Sequence, residues 1–268
     1  MNLNQYLKNK AQRKEALEDE LKNHRKRCPS CFRSQKVCFC KEIASFSTQS
    51  EFRILMHPKE ARKEQLGTGR LTNICLKNSK IIVDENFENN PDVFKLLSNT
   101  EEEYAQYFPM ILYPGDKSHN ITQSDFPEHI KDNLTLKNKK LLIFVIDGTW
   151  TCAKTMMRNS RNLHNLPRIS FEPGVLSQFK IKQQPAHYCL CTIESIYYLL
   201  NELEKWKYET LLGKQNVLLN TLHRLVDFQI ECTKNPTFTR YRPGTYKAPD
   251  ERSYSKKWSK RKVYFELK

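Results

Sequence analysis

The sequence predicts an α/β fold on a mostly parallel sheet, preceded by a small cysteine module. Three observations carry this reading. Apolar runs of strand length alternate with amphipathic stretches of helix length from residue 52 onward. The longest run, Leu141-Leu142-Ile143-Phe144-Val145-Ile146, stops on Asp147-Gly148-Thr149-Trp150. It puts polar groups at a strand's carboxyl end, where open α/β sheets bind ligands. Ahead of the first strand, Cys28-Pro29-Ser30-Cys31 and Cys38-Phe39-Cys40 place two close thiol pairs within thirteen residues.

The elements follow in order. Residues 1–27 carry a loose apolar stripe in a charged segment and read as a helix. Residues 52–57 read as a strand, Gly67-Thr68-Gly69-Arg70 as a turn and 71–78 as a helix. Residues 80–83 form the next strand, and Pro91 opens a short helix to Leu97. Residues 109–114 are a strand closed by Pro114. The polar stretch 115–139 reads as a long loop with at most a short turn of helix. The strand ending at Asp147 leads into a helix over 150–163, and 168–171 is a short strand before Pro173-Gly174. Residues 192–206 and 208–230 read as two helices. Thr192 is the expected N-cap of the first, with Ser195 at its third position and hence no capping box. The tail beyond Pro236 lacks periodicity and would order on a partner. Three regions result: a basic helix and cysteine module over 1–42, an α/β domain over 43–235 and a basic aromatic tail over 236–268.

With 268 residues there is ample length for a core. No apolar run approaches a membrane span, and the N-terminus lacks the apolar stretch of a signal peptide. Both point to a cytoplasmic protein without a membrane partner. The formal charge of +15 is concentrated before Cys28 and after Asn235, where Tyr241, Tyr246, Tyr254, Trp258, Tyr264 and Phe265 interleave with lysines and arginines. Basic groups neutralise phosphates and rings stack on exposed bases, so this pattern favours RNA over a lysine-rich surface without a partner.

Four cysteines at this spacing can converge on one ion. Two thiolates from a C-x2-C turn and two from a second close pair complete a tetrahedral four-sulfur zinc site with no open position, structural in role. Free thiols, a redox pair at Cys28 and Cys31, or an iron–sulfur site are the competing readings. The remaining cysteines, Cys75, Cys152, Cys189, Cys191 and Cys232, read as core residues.

Asp147 is either a catalytic carboxylate or merely the cap of the following helix. Trp150 either packs in the core or lies against a ligand. His57, after an apolar strand, is a packing residue or a ligand contact. The glycines at 67 and 69 let backbone N–H groups approach an anion at a helix start, with Arg70 as a bidentate partner. Arg158, Arg161, Arg168, Lys180 and Lys182 are either a phosphate track or ordinary exposed cations.

Further pieces join these: His57-Pro58-x-Glu60, Thr68-Gly69-Arg70-Leu71, Leu112-Tyr113-Pro114, Leu166-Pro167, Gln184-Pro185 and Thr192-x-Glu194. With the cysteine module and Asp147-Gly148-Thr149-Trp150, in this order over residues 28–200, the chain resembles the DTW-domain family of tRNA-uridine aminocarboxypropyltransferases. The resemblance implies a SPOUT-like sheet with a C-terminal knot that holds S-adenosylmethionine. It implies transfer of the 3-amino-3-carboxypropyl group to N3 of a tRNA uridine, with 5′-methylthioadenosine released. Asp147 would accept or orient the N3 proton, with Thr149 orienting Asp147 and Trp150 packing on the co-substrate or a base. Thr68, Gly69, Arg70, Leu112, Tyr113, Pro114, Thr192 and Glu194 would hold the co-substrate, and the five cations would hold tRNA. A SPOUT-type RNA methyltransferase or a non-catalytic zinc-containing RNA-binding protein are the alternatives. No protein partner is expected.

Overall fold

The computed structural model describes residues 27–63, 67–98, 102–181 and 189–234. The helix expected over 1–27, except for Arg27, and the tail over 236–268 lie outside the described residues. The chain divides into two compact units, Met1–Lys41 and Glu42–Lys268.

The larger unit opens on β1 (Glu51–Met56), followed by α1 (Pro58–Lys63), α2 (Thr68–Cys75), β2 (Ser79–Val83), α3 (Pro91–Ser98) and α4 (Glu102–Ala105). Then come β3 (Tyr107–Leu112), β4 (Ser118–Asn120), α5 (Glu128–Thr135), β5 (Lys140–Asp147), α6 (Trp150–Asn159), β6 (Arg168–Ser170), α7 (Thr192–Lys205) and α8 (Asn216–Lys234). The six strands form one sheet in the order β2-β1-β5-β3-β6-β4. Every pairing is parallel, so the expected mostly parallel sheet is entirely so.

The residues of β5 explain its central place. Leu141 to Val145 are all buried, as a strand covered on both faces requires. Leu142 and Phe144 join Leu55, Ile82, Ile111, Val93, Leu96, Met156 and Met157 in a core cluster that ties α3 and α6 to the sheet. Ile54 and Ile143, alternating with that set, are also fully buried and point to the other face. The helices α2, α7 and α8 pack on one another, α2 against β1 and α7 against β5.

The order of strands fixes where a ligand site can form. From β1 the chain passes to β2 on one side. From β5, the neighbour of β1, it passes over β3 to β6 on the other side. Connections therefore leave adjacent strands in opposite directions, and the crevice at their carboxyl ends is the switch point of the sheet. Met56 and Asp147 are register partners there, and the His57 N–H donates to the Asp147 carbonyl at 2.9 Å.

Several expectations need correction. The stretch 115–139 contains β4 and α5, not a continuous loop. The helix α2 starts at Thr68, inside the expected turn, and α1 was not expected at all. The helix expected over 150–163 ends at Asn159 and continues as a 3-10 turn over Arg161–Asn165. The last helix begins at Asn216 rather than 208. Lys207, Leu212 and Gly213 before it adopt left-handed backbone, which breaks the helix, and the Glu204 carboxylate accepts from Leu211 and Leu212 N–H. The N-cap of α7 is Cys191, not Thr192. Glu194 at the third position accepts from the Cys191 N–H at 2.9 Å, so capping is reciprocated after all.

Candidate active site and metal centre

In the smaller unit, the Sγ atoms of Cys28, Cys31, Cys38 and Cys40 all lie within 4.8 Å of one another. Cys28 and Cys40 are 4.0 Å apart, and Cys31 and Cys38 are 3.8 Å apart. A tetrahedral ion bound at about 2.3 Å by four thiolates sets the sulfurs about 3.8 Å from each other. The cluster is thus consistent with a metal ion. The knuckle that aims the first pair is tight: Cys28 N–H donates to Arg33 O at 2.7 Å, and Phe32 is held at φ 60°. That conformation is costly for a bulky residue and persists only where its surroundings impose it. Burial, with the neighbouring sulfurs, pushes the Cys40 thiol far above its ordinary range, whereas the Cys31 N–H draws Cys28 down to about 6. A metal bound at four sulfurs requires them as thiolates, so its affinity would rise with pH.

In the larger unit, a cavity of about 1020 Å³ opens at the carboxyl edge of the sheet. Its walls come from the ends of β3, β5 and β6, the starts of α2, α6 and α7, and the segment 171–179. Leu112, Val145, Ile146, Ala153, Phe179 and Leu190 give it apolar surface, and Asp147, Thr68, Thr192, Ser118, Asn120 and Ser170 add polar groups. This is the mixture a small-molecule site requires, at a size that accepts a nucleoside-sized ligand.

Asp147 is 6% exposed and is held from two sides. Its Oδ1 accepts from Thr192 Oγ at 2.5 Å. Gly69, in the first turn of α2, lies so close that a Cβ there would stand 2.4 Å from Asp147 Oδ2. The carboxylate therefore rests at the positive end of one helix and beside the start of another, a favourable place for negative charge. Asp147 does not cap α6. That role falls to Thr149, whose hydroxyl accepts from Cys152 N–H at 3.3 Å. Thr149 is thus engaged with the helix, and the Thr192 hydroxyl holds Asp147 Oδ1. Trp150 is half-buried and lines the cavity.

The other expected ligand contacts divide. Thr68, Leu112, Tyr113, Pro114 and Thr192 line the cavity. Gly69 supports Asp147 from behind. Arg70 does not line the cavity: its Nη2 donates to the Ala61 carbonyl at 2.7 Å, and burial lowers its affinity for a proton while the Asp147 charge opposes that shift. Glu194 is 1% exposed and binds protein groups: Ser177 Oγ at 2.8 Å, Gln178 N–H at 2.5 Å and Cys191 N–H. It ties the segment 171–179 to the start of α7. His57 is a buried capping residue. Its Nδ1 accepts from Lys59 N–H at 3.0 Å, and its Nε2 faces Glu85 at 3.5 Å.

Among the cations, Arg168 lies 5.7 Å from the ring centre of Tyr113, beside the cavity. Burial raises the Tyr113 phenol above its usual range and Arg168 opposes the shift. Lys180 is exposed next to cavity-lining Phe179. Arg158 is exposed eight residues along α6 from Trp150, about 12 Å away along the axis, and Arg161 lies beyond it. Neither shares the cavity rim. Lys182, Gln184 and Pro185 lie outside the described residues.

Of the scattered cysteines, Cys75 is a core residue whose thiol meets Thr221 Oγ at 3.4 Å. Cys189 and Cys191 line the cavity. Burial, reinforced by Glu194, pushes the Cys191 thiol up, so it stays protonated and is a poor nucleophile.

A family model for the DTW domain matches residues 25–230. The chain belongs to the DTW-domain family. The DTW signature is Asp147, Thr149 and Trp150, which all reach the cavity wall. Curated relatives of this DTW protein include the macaque tRNA-uridine aminocarboxypropyltransferase 2, 29% identical over 213 residues, or 77% of this chain and 64% of that protein. The fruit-fly protein of the same name is 28% identical over 78% of this chain and 77% of its own length. The mouse one is 30% identical over 77% and 64%. The chain thus spans under two thirds of the length of the two mammalian relatives. No solved structure matches it. Among the described residues no helix is long and apolar enough to cross a membrane.

Proposed function

We propose that the protein transfers the 3-amino-3-carboxypropyl group of S-adenosylmethionine to N3 of a uridine in tRNA, on a SPOUT-like fold with a knotted C-terminal segment. The observation that supports this reading is a fixed, buried carboxylate at the sheet's switch point, facing a cavity of nucleoside size, in a chain related to proteins named for that reaction. The co-substrate supplies the alkyl group from a sulfonium and leaves as 5′-methylthioadenosine, while the uridine loses its N3 proton.

The chain's residues divide the work. Thr68, Leu112, Tyr113, Pro114 and Thr192 hold the co-substrate, with the apolar wall excluding water from the reacting groups. Asp147, fixed by Thr192 and Gly69, receives or orients the N3 proton, because uracil N3 is a weak nucleophile while protonated. Trp150 packs against the co-substrate or the entering base. Arg168 and Lys180 approach RNA phosphates near the rim, and Lys182, Arg158 and Arg161 extend that contact. Which carbon of the sulfonium reacts depends on which one faces the base, so alignment in the cavity decides the product.

The direct test uses co-substrate labelled in either the carboxypropyl chain or the methyl group, with unmodified tRNA as acceptor. The chain label should enter RNA and the methyl label should leave in methylthioadenosine. Entry of the methyl label would make the protein a methyltransferase, and entry of neither would favour a binding protein.

The four-cysteine cluster is proposed to hold one structural zinc ion. Zinc analysis of the purified protein should give about one equivalent per chain, and Cys31→Ser should lose it and lower the melting temperature. Unchanged metal content in that variant would refute the site.

A further inference from the structure

The stretch 171–180 after β6 is pinned at two places and bare between them. At its start, the Glu172 carboxylate accepts from Asn120 Nδ2 and Gln123 Nε2, both at 2.8 Å, and the Glu172 N–H donates to Thr122 Oγ at 3.0 Å. At its end, Ser177 and Gln178 are held by buried Glu194. Phe171, Glu172, Pro173 and Phe179 line the cavity. The intervening Gly174 has φ +63° with open space around it, and the next two side chains, Val175 and Leu176, are 42% and 65% exposed. Two adjacent apolar side chains thus stand in solvent on a loop fixed by five hydrogen bonds at the rim of the cavity.

Resting on the function proposed above, we infer that Val175 and Leu176 form an apolar wedge that packs on the RNA base next to the uridine entering the cavity. The chemistry demands such a contact. N3 lies on the pairing edge of uracil, so the base must leave its stack and any pair before the atom is reachable. Apolar side chains placed between bases hold such a gap open, and a preformed loop does so without ordering cost. RNA is the partner of fitting charge, since the chain carries +15 and exposed Lys180 lies on the same segment. Glu194 is then the positioning residue that sets the wedge and, through the start of α7, the hydroxyl that holds Asp147.

The test replaces both tip residues, Val175→Ser with Leu176→Ser, which exposure makes tolerable for folding. Calorimetry should give wild-type affinity for S-adenosylmethionine. Transfer to a tRNA that the wild type modifies should fall about ten- to a hundredfold in kcat/KM, the range a stacking contact contributes. Val175→Ile with Leu176→Met should retain it, and an unstructured uridine-containing oligonucleotide should show a smaller loss than folded tRNA. Equal transfer by the serine variant and the wild type would overturn the wedge. If the wild type transfers nothing, the proposed function has failed, and filter binding of the unmodified tRNA pool decides the wedge: binding within about twofold between the two proteins sinks it. Wild-type retention on phosphatidylserine vesicles, lost in the variant while tRNA transfer is unchanged, would replace RNA with a membrane surface as the partner.

Discussion

Gly69→Ala will silence the site while leaving the protein folded. Alanine is the better helix former by about 0.8–1 kcal/mol, and Gly69 sits in the first turn of α2 with no left-handed backbone to favour glycine. Against this gain stands the added methyl, which would meet Asp147 Oδ2 at 2.4 Å and Cγ at 2.6 Å. Overpacking of this kind costs about 1–3 kcal/mol. The net change in stability should therefore be small, a few degrees in melting temperature at most. The carboxylate has to move to relieve the contact, and a displacement of about 1 Å at a reacting group can cost a hundredfold in rate. Transfer should fall by about that factor. Adding Asp147→Ala to Gly69→Ala should recover the stability lost to the clash without recovering activity, which a thermal melt and a transfer assay read separately. An active Gly69→Ala protein would show that Asp147 need not occupy this position.

Asp147→Asn separates charge from shape. The amide oxygen can still accept from Thr192 Oγ, so the side chain stays in place, while the negative charge and proton-accepting capacity are gone. General base catalysis contributes about 10²–10⁴-fold, and kcat should fall within that range with co-substrate affinity little changed. Thr192→Val makes the reverse change. It keeps the charge and removes the donor, at a cost of about 1.5–3 kcal/mol for a hydrogen bond to a charged group. Transfer should persist at a reduced level in Thr192→Val, above the residual rate of Asp147→Asn, as single-turnover assays of the two variants would read. Wild-type rates in Asp147→Asn would remove it from the chemistry altogether.

Local signals carried much of this architecture. The apolar run over 141–146 is buried along nearly its whole length, and its polar tip lies at the switch point. The two thiol pairs converge as their spacing requires. Elements without an apolar pattern escaped notice. Strand β4 is Ser118-His119-Asn120, with no apolar side chain, and α5 buries only Ile130. Roles set by tertiary contact were also hidden. The Thr192 hydroxyl has the chemistry of a cap, yet its partner is a carboxylate 45 residues earlier. Glu194 looks like a ligand contact but is consumed by three protein donors, two of them in a segment that has no periodicity. The glycines at 67 and 69 were expected to let a ligand anion approach the backbone. What approaches Gly69 is the protein's own carboxylate, which spacing cannot reveal.

The measurement that bears most directly on the whole account is mass spectrometry of unmodified tRNA after incubation with the purified, zinc-loaded protein and S-adenosylmethionine. An aminocarboxypropyl adduct on uridine, with methylthioadenosine released in equal amount, is the predicted result, and nuclease digestion would locate the nucleoside. A methyl adduct, or RNA left unchanged by folded protein, would contradict it.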